Sequence, residues 1–358
     1  IKVYRCTFSN NSSTQTGGGL NIYTLSGTAR VNHCTFSDNE AVGNDAGGLF
    51  MGTQTGTLSL TSSTFSNNET LGDDAGGCML YSDGGGTAIM HGNTFLQNSA
   101  PDDAGGAMVY LLGSGSQATI HHNTFNTNHA GLGGGGCWIR LPGGGNVDYY
   151  ENFHSYNTTN TGGGAGFLCE LQISGDLNVN NNRFEHNYAG TGSSVISDGG
   201  AAWIEHQTGT ITISNNLFLN NEAFNNGGGI FTYTSSGTVN FFRNILAQND
   251  AGNVGGGFSY ATDDGDLNLY HNTFSQNTAE ASGGGAYFYF DQAGATSSIY
   301  NNIFWNDSAD AIDYSGAASM SATYSDIKGG TGQSWFGTGC FDADPLFMDA
   351  ANFDFRLT

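Results

Sequence analysis

The chain repeats one unit, whose copy at residues 123–137 reads Asn123-Thr124-Phe125-Asn126-Thr127-Asn128-His129-Ala130, a short turn, Gly133-Gly134-Gly135-Gly136 and an apolar segment from Cys137. This order of residues recurs about eleven times, and a phenylalanine marks most copies at spacings of 28 to 34 residues. The marker positions are Phe8, Phe36, Phe65, Phe95, Phe125, Phe153, Phe184, Phe218, Leu246, Phe274 and Phe304. A repeat of this length predicts a solenoid, in which each copy forms one coil and buries its apolar face against its neighbours.

Each unit predicts three short strands. The first, such as Leu58-Ser59-Leu60, alternates with a period of two, and the second carries the marker. The third follows the glycines and points residues such as Leu49 and Met51 inward. Only turns separate the strands, so consecutive copies pair in parallel. The sequence therefore predicts an all-β, right-handed parallel β-helix over residues 1–307, with a final coil and an irregular C-terminal cap over residues 308–358.

Two columns of asparagine accompany the marker. One lies three residues after it, at Asn11, Asn39, Asn68, Asn98, Asn128, Asn187, Asn221, Asn249 and Asn277. The other lies two residues before it, at Asn93, Asn123, Asn182, Asn216, Asn244, Asn272 and Asn302. Stacked side-chain amides would donate hydrogen bonds from coil to coil and satisfy turn groups that strand pairing leaves unmet. We interpret both columns as structural asparagine ladders.

The repeats resemble a known group of proteins. The pattern Phe-x-x-Asn, as from Phe36 to Asn39, with Gly47-Gly48-Leu49 resembles the passenger repeats of polymorphic outer membrane proteins. The ending Asp344-Pro345-Leu346-Phe347 with Asp354-Phe355-Arg356-Leu357 is similar to the closing segment of secreted bacterial β-helix proteins with pectin-lyase-like repeats. The resemblance covers essentially the whole chain and implies a secreted or surface-displayed protein. It implies no catalytic residue, because this fold hosts lyases, hydrolases, adhesins and fibres alike.

Charge narrows the range of partners. The chain has a net charge of −23 with only 8 Lys and Arg, so it should repel nucleic acid and anionic membranes. This acidic composition is typical of an extracellular or cell-surface protein. No apolar stretch reaches the roughly 18 residues of a membrane span, which predicts no membrane insertion. Ile1 begins inside a repeat, so we expect the chain to be a piece of a longer protein.

The outward positions of the third strand form the main candidate binding surface. They are rich in aromatic residues: Phe50, Tyr81, Tyr110, Trp138, Trp203, Phe231, Tyr233, Tyr287 and Tyr289. Exposed apolar stripes usually mark contact surfaces. This face predicts adhesion, extracellular assembly or carbohydrate binding, with a glycan, a cell-surface or extracellular protein, or a second copy in a fibre as partner. The alternative is that a long turn, the cap or a neighbouring molecule covers the rings.

Three charged residues interrupt this face on consecutive coils. Arg140, Glu170 and Glu205 share one outward column, with His206 next along the chain. Carboxylates on adjacent coils would lie near 5 Å apart, a separation that retaining glycosidases use. The alternative function is therefore a polysaccharide-active hydrolase or lyase that uses these three residues. The structural alternative is a cross-strand ion pair between Arg140 and Glu170.

An acidic cluster precedes the glycines on three successive coils. Its aspartates are Asp45, Asp73, Asp74, Asp102 and Asp103. Stacked carboxylates repel one another unless a cation or a proton neutralises them, and oxygen-rich turns suit calcium. We therefore expect calcium as the one candidate cofactor. The alternative is that these are ordinary turn residues that splay into solvent.

Histidine and cysteine give weaker signals. His91 and His121 should stack, with His122 beside them, so a zinc site is conceivable. The sequence shows no acidic partner for these histidines, and a solvated turn is the preferred interpretation. Cys6 and Cys34 occupy the same position on adjacent coils. The stacking distance satisfies disulfide geometry, so the sequence leaves open whether these two cysteines are bonded. The other four cysteines are Cys78, Cys137, Cys169 and Cys340.

Overall fold

The computed structural model describes residues 1–191 and 197–358. It is a parallel β-helix of about eleven coils with a repeat of about 29 residues, which confirms the predicted fold class. Coils pair in parallel with equivalent residues opposite one another, as for Phe65 and Phe95. The marker rings stack through the interior, and the centroids of Phe36 and Phe65 lie 4.7 Å apart. Column-wise stacking therefore builds the core.

The largest sheet holds 21 strands. One set follows the glycines: Leu20–Thr24, Leu49–Thr53, Cys78–Ser82, Ala107–Leu111, Cys137–Leu141, Ile230–Thr234, Phe258–Thr262, Ala286–Phe290 and Ile312–Gly316. The other set precedes the marker: Lys2–Tyr4, Thr28–Asn32, Thr57–Thr61, Thr87–His91, Ser116–His121, Gly145–Tyr150, Thr238–Phe242, Asp266–Tyr270, Ser297–Tyr300 and Ala322–Thr323. In two coils both strands join into one, Phe167–Asn180 and Ala202–Ser214.

The marker position lies in a second sheet of 12 strands. These strands are Thr7–Ser9, Thr35–Ser37, Thr64–Ser66, Thr94–Leu96, Thr124–Asn126, Phe153–Ser155, Arg183–Glu185, Leu217–Leu219, Ile245–Ala247, Thr273–Ser275, Ile303–Trp305 and Asp326–Ile327. Because Asp326–Ile327 still pairs with the preceding coil, coil geometry continues past residue 307. The chain then ends in an antiparallel pair, Phe347–Asp349 and Asp354–Leu357, around the 3₁₀ helix Ala350–Asn352.

A third sheet of 10 two-residue strands adds a fourth strand to ten of the coils, where the sequence predicted three strands per coil. These strands are Ser12–Ser13, Glu40–Ala41, Glu69–Thr70, Ser99–Ala100, His129–Ala130, Thr158–Thr159, Tyr188–Ala189, Glu222–Ala223, Asp250–Ala251 and Thr278–Ala279. The second residue of each pair is small, and Ala41 and Ala130 are fully buried. Two residues are too few for a visible alternation, which explains why the period-two pattern missed this sheet.

One predicted marker is wrong. His154, not Phe153, lies opposite Phe125 and Phe184 in the marker sheet. The imidazole is fully buried and stacks on the two rings at centroid distances of 4.6 and 4.8 Å. Its Nε2 lies 2.5 Å from the Tyr149 hydroxyl, which gives the buried ring a polar partner. The coil therefore keeps its register, and Phe153 takes the half-buried position that threonine holds in other coils.

Both asparagine ladders are present and are longer than predicted. In the first, Asn98 Nδ2 donates to Asn128 Oδ1 at 2.9 Å, and Asn157 continues the column. In the second, Asn123 Nδ2 donates to Asn152 Oδ1 at 3.0 Å. Asn152 and Asn157 had escaped the pattern because the marker of their coil was assigned to Phe153. Ladder amides that have a coil before them also donate to a carbonyl of that coil, as Asn98 does to Phe65 O at 3.1 Å.

All six cysteines lie in the described residues and are free thiols. The stacked pair makes a weaker contact, in which the backbone N–H of Cys6 donates to Cys34 Sγ at 3.5 Å. Cys78, Cys137 and Cys169 are fully buried and act as small apolar core residues.

Asn98→Ala should destabilise the protein by about 2–4 kcal/mol, because it leaves several buried groups on Asn68 and Phe65 without partners. Asn126→Ala removes an asparagine from the outer face of the next coil and should change the free energy of unfolding by less than about 0.5 kcal/mol. Urea unfolding followed by circular dichroism measures both. Equal destabilisation by the two variants would contradict the structural role of the ladder.

Candidate functional site

Register places the outward residues of the third strands in two columns, as the sequence predicted. In the first column Met79 pairs with Met108, which pairs with Trp138. In the second column Tyr81 pairs with Tyr110. The spacing between neighbours in a column is that of paired strands, about 4.8 Å. Side chains from several coils thus converge on one strip of the surface.

The turn before the glycines covers much of the first column. The turn alanines, fully buried, pack with outward residues into a second hydrophobic cluster of Ala46, Ala75, Met79, Ala104, Met108, Trp138 and Leu168. Trp138 is only 4% exposed, so its ring lies under the turns and not on an open face. The sequence left open the alternative that a turn covers the outward rings, and that alternative is correct for the residues of this cluster.

The rest of the predicted aromatic face remains accessible at its edge. The partly exposed members are Phe50, Tyr81, Tyr110, Trp203, Phe231, Tyr233 and Tyr287, and Tyr289 is 41% exposed. Tyr233 donates to Asp263 Oδ2 at 2.9 Å, and Tyr287 shares a hydrogen bond of 2.6 Å with Ser315. These two hydroxyls are therefore already partnered within the chain.

The covering turns and the second column enclose a groove, which we call the acidic aromatic groove. Its volume is about 350 Å³, and it is lined by Thr16, Asp45, Phe50, Asp73, Asp74, Met79, Tyr81 and Tyr110. The ring centroids of Tyr81 and Tyr110 lie 5.9 Å apart in an edge-to-face arrangement, and those of Phe50 and Tyr81 lie 6.1 Å apart. The predicted aromatic surface and the predicted calcium cluster therefore meet in one cavity.

Three of the five predicted metal ligands converge in this groove. Asp45, Asp73 and Asp74 each offer a carboxylate oxygen within 4.8 Å of the others. That span matches twice a calcium–oxygen distance of about 2.3–2.6 Å. Asp102 and Asp103 lie one coil further along and are not part of this group.

The inner aspartates also form a ladder of their own. The backbone N–H of Asp74 donates to Asp45 Oδ1 at 3.3 Å, that of Asp103 donates to Asp74 Oδ1 at 3.1 Å, and that of Gly133 donates to Asp103 Oδ1 at 2.8 Å. Each of these carboxylates therefore accepts a hydrogen bond from the next coil. The geometry fixes the inner carboxylates and does not leave them splayed in solvent.

Burial makes these carboxylates weak acids. Burial first, and then the charge of Asp103, raise the pKa of Asp74 to about 8 against the opposing hydrogen bond from the Asp103 backbone. Burial likewise raises the pKa of Asp103 to about 7. A proton on such a group relieves the like-charge repulsion that stacking creates. A bound cation would do the same.

The charged column lies beside the groove. Arg140 Nε contacts Glu170 Oε2 at 3.0 Å, so the cross-strand ion pair exists. The Arg140 guanidinium also lies 5.6 Å from the ring centroid of Tyr110. Burial raises the pKa of Glu170, and Arg140 opposes this rise; the same two effects act on the pKa of Glu205. Glu205 pairs with Glu170 in register.

Two features of the site escaped sequence reasoning. His206 is fully buried and lies 2.9 Å from Gly175 O, so it points away from the charged column. Thr16 lines the groove because it occupies the turn position of Asp45 one coil earlier. Only the alignment of turn residues by coil, and not local motif spacing, could have identified Thr16.

Comparison with known proteins identifies the family. A family model described as a right-handed beta helix region matches residues 1–125 and 47–274. The chain therefore belongs to the right-handed β-helix family. Searches of curated proteins and of solved structures gave no match to it. Among the residues that the structure describes, no helix is long and apolar enough to cross a membrane.

Asp74→Asn should stabilise the protein at alkaline pH. Because the pKa of Asp74 is about 8 in the fold and about 3.9 in an unfolded chain, the folded form holds the extra proton and loses stability as the pH rises from about 4 to about 8. Thermal unfolding between pH 4 and pH 9 should show that the stability of the variant relative to the parent increases as the pH rises through this window. The exposed Asp38→Asn is the control, and a gain that does not depend on pH would contradict the assignment.

Proposed function

We propose that this protein is a secreted or surface-exposed β-helix that binds carbohydrate in the acidic aromatic groove without cleaving it. The observation that carries the proposal is the meeting of three accessible rings and three carboxylates in one cavity of about 350 Å³. Ligand pockets combine apolar walls with a few polar groups that fix orientation. A pyranose offers both an apolar C–H face and a rim of hydroxyl donors.

Each wall of the groove suits one part of a sugar. The rings of Phe50, Tyr81 and Tyr110 supply apolar contact area with little loss of side-chain entropy. The carboxylates of Asp45 and Asp73 offer acceptors for hydroxyl protons, and hydrogen bonds to charged acceptors are the stronger kind. With 8 Lys and Arg against 31 Asp and Glu, the ligand that fits is a neutral glycan and not a uronic acid polymer.

The acidic surface, the resemblance to secreted repeats and the accessible groove favour adhesion or extracellular assembly as the use of such binding. Lateral packing of the same face into a fibre is the competing use, and it would show as concentration-dependent growth in light scattering.

Tyr81→Ala should weaken glycan binding by about 10-fold or more, equivalent to about 1.4 kcal/mol. Screening the protein on a neutral glycan panel and titrating the best ligand by calorimetry measures the loss. Tyr300→Ala is the matched control, because Tyr300 is an outward, half-buried tyrosine on another strand that stacks on Tyr270 at 5.2 Å. Equal loss in both variants, or binding that neither variant affects, would remove the groove as the binding site.

A polysaccharide-active enzyme remains the second candidate, favoured by the adjacent Glu170 and Glu205 with raised pKa values. The ion pair with Arg140 opposes the rise in the pKa of Glu170 and ties this side chain to the fold, which suits a structural role better than acid catalysis. The test is whether the protein releases reducing ends or an unsaturated product from the same glycan panel. Release that Glu170→Gln abolishes would show that the protein is an enzyme and not only a binding protein.

We propose calcium as a ligand of the same groove, held by Asp45, Asp73 and Asp74. At pH 7 Asp74 carries a proton for most of the time, since its pKa is about 8, so calcium binding should release a proton and tighten as the pH rises from 6 to 8.5. Calorimetry with CaCl₂ in buffers of different ionisation enthalpy measures both effects. Asp74→Asn should abolish the signal and Asp38→Asn should keep it; a parent protein that gives no heat ends the proposal.

A further inference from the structure

Three histidines meet at a corner of the helix remote from the acidic aromatic groove. His91 and His121 end the strands Thr87–His91 and Ser116–His121 and lie opposite one another in register. His122 follows directly in the left-handed conformation, with φ of 55°. That turn directs its ring back toward the stacked pair, and the stack leaves all three imidazoles at the surface.

The ring nitrogens converge. His91 Nδ1 lies 3.2 Å from His121 Nδ1, which lies 2.9 Å from His122 Nδ1. The rings of His91 and His121 stack with centroids 4.3 Å apart, and the ring of His122 stands edge-on to both. In a tetrahedral site with Zn–N bonds of about 2.0–2.1 Å, neighbouring nitrogens are about 3.3–3.4 Å apart. The observed contacts need to open by only a few tenths of an ångström.

Hydrogen bonding alone does not account for this arrangement. A neutral imidazole nitrogen carries either one proton or one in-plane lone pair. The Nδ1 atom of His121 therefore has one group with which to satisfy two close nitrogen neighbours. A single cation satisfies three lone pairs at once.

A carboxylate completes the arrangement. Glu151 occupies the turn position of His122 one coil further on, with φ of 54°, and its Oε2 lies 2.8 Å from His122 Nε2. A carboxylate there holds the imidazole proton on Nε2 and leaves Nδ1 free as a ligand. Tyr150 packs on the open face of His121 with ring centroids 4.6 Å apart. The sequence showed no acidic partner for these histidines, and the structure supplies one.

We propose that the Nδ1 atoms of His91, His121 and His122 bind one late first-row divalent metal ion, of which Zn²⁺ is the representative, and that Glu151 is a positioning residue for His122. Imidazole nitrogen selects zinc, copper and nickel over calcium and magnesium. The side chains of His122 and Glu151 are 51% and 46% exposed, so a metal ion can reach the site from solvent. This site therefore differs from the acidic aromatic groove in both place and ligand chemistry.

Calorimetric titration of the chelator-treated chain with ZnCl₂, after purification without a polyhistidine tag, tests the proposal. We expect one equivalent of Zn²⁺ to bind and saturating Zn²⁺ to raise the thermal unfolding midpoint. His121→Ala should lower the affinity by at least about 100-fold, and Glu151→Gln by about 10–100-fold. His271→Ala is the matched control, because His271 holds the same left-handed turn position, with φ of 58°, beside Tyr270 and Tyr300.

Four outcomes would overturn the inference. The parent chain binds no stoichiometric Zn²⁺; or His121→Ala binds it as tightly as the parent does; or His271→Ala loses as much affinity as His121→Ala. Circular dichroism of each metal-free variant checks its fold, which these surface substitutions should leave intact. Zinc binding that survives His121→Ala but is lost in Asp74→Asn would place the metal in the acidic aromatic groove and also overturn the inference.

Discussion

The in-register parallel pairing of equivalent residues from coil to coil is the constraint on which this structure depends. Strand hydrogen bonds alone leave the turns unsatisfied, and the buried asparagines close that gap by donating to both the next side chain and a carbonyl behind, as Asn98 does. An amide is the one short side chain with a donor and an acceptor on opposite ends. A coil that slipped by one residue would lose both ladders and expose its marker, so register is strongly fixed.

Because of the same in-register pairing, a residue type that recurs at one position of the repeat forms a column along the helix, and neighbouring columns form a surface. Residues that face outward in one coil face outward in all, so Met79, Met108 and Trp138 form a continuous apolar strip. The strip is too apolar to stay open, and the turn alanines cover it. What remains accessible is the edge of the strip, where tyrosines meet turn aspartates. The groove is therefore a by-product of how the solenoid buries its surplus apolar surface.

Much of the fold and of the candidate site could be predicted from the sequence, and the features that could not be predicted have physical causes. Fold, register, both ladders and both outward columns followed from periodicity, because strand stacking converts sequence position into spatial position. Phe153 misled the alignment, since an aromatic residue beside the true marker, His154, looks like the marker itself. Burial of Trp138 was also hidden, because covering depends on how a turn folds back and turns carry no period of their own. The contact between His122 and Glu151 was also hidden, because these residues hold the same turn position in two neighbouring coils but are of different types, so the repeat does not align them.

Columns also explain why the ionisable groups of this protein behave unusually. Like residues stacked about 4.8 Å apart repel when charged, so a repeat tolerates them only if the charge is removed or balanced. The aspartate column does this by taking up protons, which is why the pKa of Asp74 rises to about 8. The histidine column instead brings three ring nitrogens together, with His91 Nδ1 3.2 Å from His121 Nδ1 and His121 Nδ1 2.9 Å from His122 Nδ1. A cation would relieve the repulsion in the aspartate column, and it would give the close ring nitrogens of the histidine column a common partner, so the proposed calcium and zinc sites both follow from the stacking of equivalent residues.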